Sequence, residues 1–336
     1  MSSVAAIDDL SSVGCAELEP VMGTPLVLRV DQNGAKTTDW AEWNREDVER
    51  LLQANGALLI RGLKFVGSQQ FGTVVSSLFG AELLQYVYRS TPRTELRGNV
   101  YTATEYHADL HIPQHNENAY SNSWAMRLGF LCTLPSAQGG ATPICDSAKV
   151  YEQIPAAARD RFEKYGVLYV RNYSEIDLHW KEVFQTEDRA AVEEFCQGNG
   201  LEWEWLDGDR LRTRQINQAS AVHPMTGAKV WFNQAHLFHV SSLEQKIQDQ
   251  LLSVLPESDL PRNTYYGDGA PIEAETLRQI RAIYERNQIK FEWQRNDLLL
   301  IDNMLFSHGR EPYAGNRQVL VGMARPIDAS QVETRP

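Results

Sequence analysis

The chain has 336 residues, 43% hydrophobic and 23% charged, which supplies a sizeable core and excludes disorder as its main state. Its 32 Lys and Arg against 44 Asp and Glu leave a formal net charge of −12, which argues against nucleic acid or any broad anionic surface as a partner. No apolar run approaches the roughly 20 residues of a membrane helix, and Met1 to Leu10 has neither a basic stretch nor an apolar leader segment, so the expectation is a soluble, cytoplasmic protein with no membrane partner.

In chain order, the first forty residues alternate short apolar pieces with Gly, Ser and Asp. Asn44 to Asn55 then carries Val48, Leu51 and Leu52 at helical spacing and stops at Gly56, which predicts an amphipathic helix with a glycine cap. Ala57 to Leu63 is a compact apolar run and predicts a buried strand; Gln69 to Phe79 returns to helical spacing.

From about residue 97 the texture changes to strand-length runs rich in aromatic and β-branched residues. They cover Asn99 to Thr102, Ala125 to Thr133, Val167 to Asn172, Leu201 to Trp205, Lys229 to Asn233, Ile289 to Trp293, Leu298 to Asp302 and Val319 to Ala324. Such a series predicts a β-sandwich or jelly roll. Helical stretches at Ala156 to Tyr165, Arg189 to Gln197, Leu243 to Leu255 and Ala274 to Asn287 would flank the sheets. With no repeat, low-complexity segment or linker, the expectation is one domain over 1–336, with an extension and helix over 1–55 and a jelly-roll core over about 97–326. The four cysteines, Cys15, Cys132, Cys145 and Cys196, lie far apart without a CxxC pair, so reduced, buried thiols are expected rather than a zinc knot.

Histidine is the scarce chemical resource. His107, His111 and His115 fall within nine positions, and two of them repeat one pattern: His107 with Asp109, and His115 with Glu117. In an extended segment residues i and i+2 project to the same face, so either pair can grip one metal ion. A third ligand must come from far along the chain, from His179, His223, His236, His239 or His308. His308 stands out because it follows the apolar run LLLIDNMLFS and opens the turn GREPYAGNR, where a barrel strand would end at a cavity. Two histidines and a carboxylate on one face of an ion leave positions open for chemistry, as in non-haem Fe(II) oxygenases.

Four stretches in order, HNENAYS, GGATPICDS, WFNQAHLFH and DNMLFSHGREPYAGNRQVLVGMAR, resemble the TauD/TfdA-like Fe(II)/2-oxoglutarate-dependent dioxygenases, with the closest flavour in the SyrP-like branch. The resemblance runs from about residue 56 to 326 and implies a mainly β fold with flanking helices around a double-stranded β-helix, the cupin-like jelly roll. It implies Fe(II) as metal, 2-oxoglutarate as cosubstrate and O₂ as oxidant. It matches His115 and Glu117 to the near ligands, His308 to the distal ligand, and Thr142 and Arg317 to the pair that holds the far carboxylate of 2-oxoglutarate. The 142 − 115 = 27 residue interval selects His115 and Glu117 over His107 and Asp109.

Independently of the resemblance, a planar guanidinium such as that of Arg317 can hold a carboxylate through two charge-assisted hydrogen bonds. Arg310, two residues from His308, is expected to brace its turn, and Arg325 lies at the far end of the strand. The carboxylate of Glu117 favours oxygen transfer over the halogenation of relatives that lack it. The resemblance implies hydroxylation of an amino acid or amino-acid-derived small molecule in secondary metabolism, free or tethered to a carrier protein, with 2-oxoglutarate going to succinate and CO₂. Desaturation or epoxidation is the alternative outcome, and a cupin-like metal hydrolase or isomerase is the rival. His111, Asn118, Asn233 and His236 are candidate substrate contacts, and Arg127, Arg212 and Arg214 are candidate partners for a substrate carboxylate.

Overall fold

The computed structural model describes residues 16–19, 25–86, 88, 91, 93–104, 106–174 and 176–335. Cys15 and the segment Met1 to Leu10 lie outside these.

A seven-stranded sheet runs in the order Ala16–Glu19, Leu26–Val30, Ala57–Arg61, Leu298–Asp302, Ser123–Leu134, Gln318–Asp328, Val100–Thr102. Every pairing is antiparallel except that of 26–30 with 57–61. Strand alternation sorts its side chains onto two faces. Leu58, Ile60, Leu298, Leu300, Leu131 and Leu320 pack under the helices Arg45–Asn55 and Gly67–Phe79. Leu59, Leu128, Phe130, Leu299, Ile301, Val319 and Val321 point the other way and pack with Ile144 and Phe306 of a second, three-stranded sheet. That second sheet, Ile112–His115, Phe306–Arg310 and Ile144–Asp146, is the functional layer of the jelly roll.

Several expectations need correction. The helix expected over Asn44 to Asn55 is present as Arg45–Asn55, with Asn44 at its N-cap and Gly56 closing it in the left-handed conformation (φ 72°), but a further helix, Thr37–Trp43, precedes it where only short apolar pieces were read. The strands at Val167–Tyr173 and Glu202–Leu206 do not join the jelly roll. With Arg210–Asn217 and Arg262–Tyr266 they form a separate four-stranded sheet, capped by its own aromatic core around Trp180, Phe162, Trp231 and Tyr266. Ile289 to Trp293 is not a strand. Only Ile289 bridges, to Ile144, and the alternation that reads as a strand instead buries Phe291 and Trp293 against the sandwich while the backbone turns away. His308 opens no turn; it is the middle residue of the strand Phe306–Arg310.

Cys132, Cys145 and Cys196 are free and buried, and burial pushes their thiols up to about 11, 12 and 12, so they are inert reduced groups. Among the described residues no helix is long and apolar enough to cross a membrane.

Candidate active site

The three candidate ligands reach one point from three pieces of chain. His115 ends the strand Ile112–His115 and sits in register opposite His308, with ring centroids 4.4 Å apart. Glu117 lies in the turn just beyond, and its Oε2 is 3.9 Å from His308 Nε2. One donor atom from each of the three residues lies within 4.8 Å of the others. His107, Asp109 and His111 are exposed on the preceding loop and do not join this cluster.

The local backbone explains the convergence. His115 Nδ1–H donates to Pro113 O (2.9 Å), which fixes the tautomer that leaves Nε2 with its lone pair free. Asn303 holds Glu117 by its backbone: its Oδ1 accepts from Glu117 N (2.7 Å) and its Nδ2 donates to Glu117 O (2.9 Å). Asn116 Nδ2 donates in turn to Asn303 O and to Ser147 Oγ. Gln114 donates to Pro143 O and accepts from Ser307 Oγ, tying both ligand strands together. Asp302 and Asn303 thus fix a strand end, as their position implies.

Electrostatics keep the donors in the ligating state. Burial drives His308 well below the ordinary histidine range, helped by His115 and Arg93, and lowers His115 against the pull of Glu117. Both rings are therefore neutral at pH 7. Two imidazole nitrogens and a carboxylate oxygen suit a ferrous ion, and the buried, unpartnered His308 Nδ1 shows a ring not absorbed into the internal hydrogen bonding of the described residues.

A small cavity of about 30 Å³ opens beside the pair of rings, lined by Arg93, Thr104, Ile112, Phe130, Thr142, Arg317 and Val319 among others. Arg317 Nε donates to Gly140 O (2.9 Å) and Nη2 to Thr142 Oγ1 (3.1 Å), while Thr142 Oγ1 also accepts from Trp293 Nε1. No carboxylate of the described residues pairs with Arg317. Burial and the neighbouring Arg310 lower it to about 10, which leaves a charged guanidinium poised for an anion.

The rival arginines are occupied elsewhere. Arg310 gives its Nη groups to the carbonyls of Thr104, Tyr106, His107 and Leu110, so it braces the loop before the first ligand strand rather than its own turn. Arg325 binds Phe79 O and Glu49. Arg127 pairs with Asp302 and Glu49, Arg212 with Asp259, and Arg214 lies 3.6 Å from Glu204. None of these last four lines the cavity.

Of the candidate substrate contacts, Asn233 is fully used, donating to Ala219 O and accepting from Ala235 N. His236 donates Nε2–H to Gln114 O and stacks on Tyr284 at 4.7 Å. Neither lines the cavity, and His111 points to solvent. Asn118 is half-buried beside Glu117 in the left-handed conformation (φ 56°) with Oδ1 unpartnered. Sequence reasoning missed Arg93, whose Nη2 donates to Glu117 Oε2 at 2.7 Å from 24 positions upstream. Nothing in the stretch STPRTELRG distinguishes that arginine; only the fold brings it in.

A jelly roll with a buried two-histidine, one-carboxylate cluster facing an unpaired arginine defines a 2-oxoglutarate-dependent iron oxygenase. The chain belongs to the TauD/TfdA dioxygenase family: the model described as taurine catabolism dioxygenase TauD, TfdA family, matches residues 18–324. It is 37% identical over 314 residues to the dapdiamide synthesis protein DdaC of Enterobacter agglomerans, covering 93% of this chain and 95% of that one. A clavaminate synthase-like protein of Arabidopsis thaliana is 32% identical over 289 residues, covering 83% and 84%. The fold is shared with PvcB of Pseudomonas aeruginosa (TM-score 0.55, 14% identity, 96% and 94% covered). The protein is accordingly an oxidoreductase that uses Fe(II) and 2-oxoglutarate.

Proposed function

We propose that His115, Glu117 and His308 hold the iron and that Arg317, with Thr142, binds the distal carboxylate of 2-oxoglutarate. The observation that carries this reading is the convergence of three potential ligand atoms beside a cavity that is also lined by a half-buried guanidinium paired with no carboxylate of the described residues. Bound iron and 2-oxoglutarate supply the oxidising chemistry, with succinate and CO₂ as co-products. The chain's own part is orientation. Pro113 O keeps His115 in the ligating tautomer, Asn303 fixes the Glu117 backbone, and Phe130, Ile112 and Val319 give apolar walls that keep water from the reacting centre.

The substrate we infer is an amino acid or amino-acid-derived small molecule of secondary metabolism, hydroxylated at a C–H bond. The likeness to a protein of dapdiamide synthesis supports this. Presentation on a carrier protein is a second form of the same reading, and desaturation or epoxidation a second outcome. Residues 1–336 would act as one domain, in the cytoplasm.

Anaerobic addition of 2-oxoglutarate to the Fe(II) protein is expected to raise a visible charge-transfer band. His115→Ala and His308→Ala should abolish both band and succinate formation, whereas Asp109→Ala should leave iron binding intact. Loss of iron in Asp109→Ala but not Glu117→Ala would transfer the metal site to the other pair.

A further inference from the structure

We propose that Arg93 binds an anionic group of the substrate, a free carboxylate, beside the metal ligands; this rests on the oxygenase reading and narrows its substrate class. Arg93 is only 7% exposed and lines the same cavity as His115 and His308. One of its nitrogens, Nη2, is taken by Glu117, and its guanidinium lies 4.8 Å from the centre of the Tyr86 ring. Its Nε and Nη1 are buried and have no acceptor among the described residues. The cavity's two other arginines are held differently: Arg310 gives its Nη groups to carbonyls and keeps only Nε without an acceptor among the described residues, and Arg317 is tied to Gly140 O and Thr142 Oγ1.

Charge counting points the same way. A ferrous ion with one glutamate and one 2-oxoglutarate carboxylate is neutral overall. Arg93 beside Glu117 adds a positive charge that the site itself does not cancel. Buried N–H donors of a cation are satisfied by an acceptor-only group, and an anionic one also removes the charge. A carboxylate meets both needs. An aminoacyl thioester has spent that carboxylate in its link to the carrier, so the free acid is the form this site selects.

The test uses propionate and its isostere propionamide as probes, added to the anaerobic Fe(II)·2-oxoglutarate protein. Binding is read from displacement of the charge-transfer band and from calorimetry on the Zn(II)·2-oxoglutarate protein. Propionate should give a saturable millimolar response, at least tenfold stronger than propionamide. Arg93→Gln should weaken it at least tenfold while 2-oxoglutarate affinity changes by less than twofold. Should Arg93→Gln lose its metal with the brace on Glu117, Arg93→Lys, which keeps the charge, is read in its place and must retain the preference for acid over amide. A wild type blind to propionate, an equal response to the amide, or an Arg93→Gln protein that loads metal and binds propionate normally overturns the proposal and leaves Arg93 a mere brace. Failure of the band to appear at all strikes the oxygenase reading instead, and calorimetry of acid against amide still decides the anchor.

Discussion

At the scale of single residues, the half-buried Arg317 offers the clearest number. Replacing it by Gln should weaken 2-oxoglutarate binding by roughly 2–3 kcal/mol, the worth of a charge-assisted pair in a partly buried site. Equilibrium titration of the charge-transfer band measures it. Arg317 stays charged up to about 10, so wild-type affinity should be flat from about pH 7 to 9. His236 carries a different pH dependence. Burial holds it at about 4 against an ordinary 6.5, so between those values the unfolded chain binds a proton that the native chain refuses. Stability is therefore full above 6.5 and is lost as pH falls through 4, by roughly 3 kcal/mol from this residue. Denaturant unfolding at pH 7 and pH 4 should show a loss smaller by about that amount in His236→Gln, whose amide can still donate to Gln114 O.

At the scale of elements, the site depends on how closely two ligand strands approach. Between His308 and Arg310 the pairing with 112–115 shifts register, and a Cβ on Gly309 would stand 2.7 Å from Ile112 O. Gly309→Ala must therefore push the strands apart and separate His115 from His308. Iron affinity, measured by chelator competition, should fall at least tenfold, as geometry held to about half an ångström is lost. One residue on, Arg310 straps the 104–110 loop through four carbonyls. In Arg310→Met those carbonyls lose their shared donor, and hydrogen exchange across the loop should speed up while the Gly309 region keeps its protection. The exposed His107 lies on the loop held by this strap.

Across the whole molecule, a buried ionic network joins the helical layer to the large sheet. Arg127 lies between Asp302 and Glu49, Glu49 also takes Arg325, and Asp302 accepts from His223 Nε2 at 3.0 Å. Burial works against the charge on Asp302, yet His223 and Arg127 outweigh it and hold the carboxyl below its usual range. Arg127→Met strands Asp302 and should cost roughly 3–5 kcal/mol in unfolding free energy, measured by denaturant titration. Arg127 was open to a substrate role on sequence alone because charge type says nothing of which buried acid lies opposite. The same limit runs through the protein. Compact apolar runs and helical spacing were enough for the strands 57–61, 298–302 and 319–324 and for the helices 156–165 and 274–287, since each follows from side chains within a few positions. The ordered motifs likewise singled out His115, Glu117 and His308, which the fold brings together, and Thr142 and Arg317, which hydrogen-bond to each other. The sorting of strands among separate sheets, the exclusion of 289–293 from them, and the approach of Arg93 and Asn303 to Glu117 are set across the fold, the last by contacts between residues 24 and 186 positions apart. Those are set by packing of complete layers, and no local pattern encodes them.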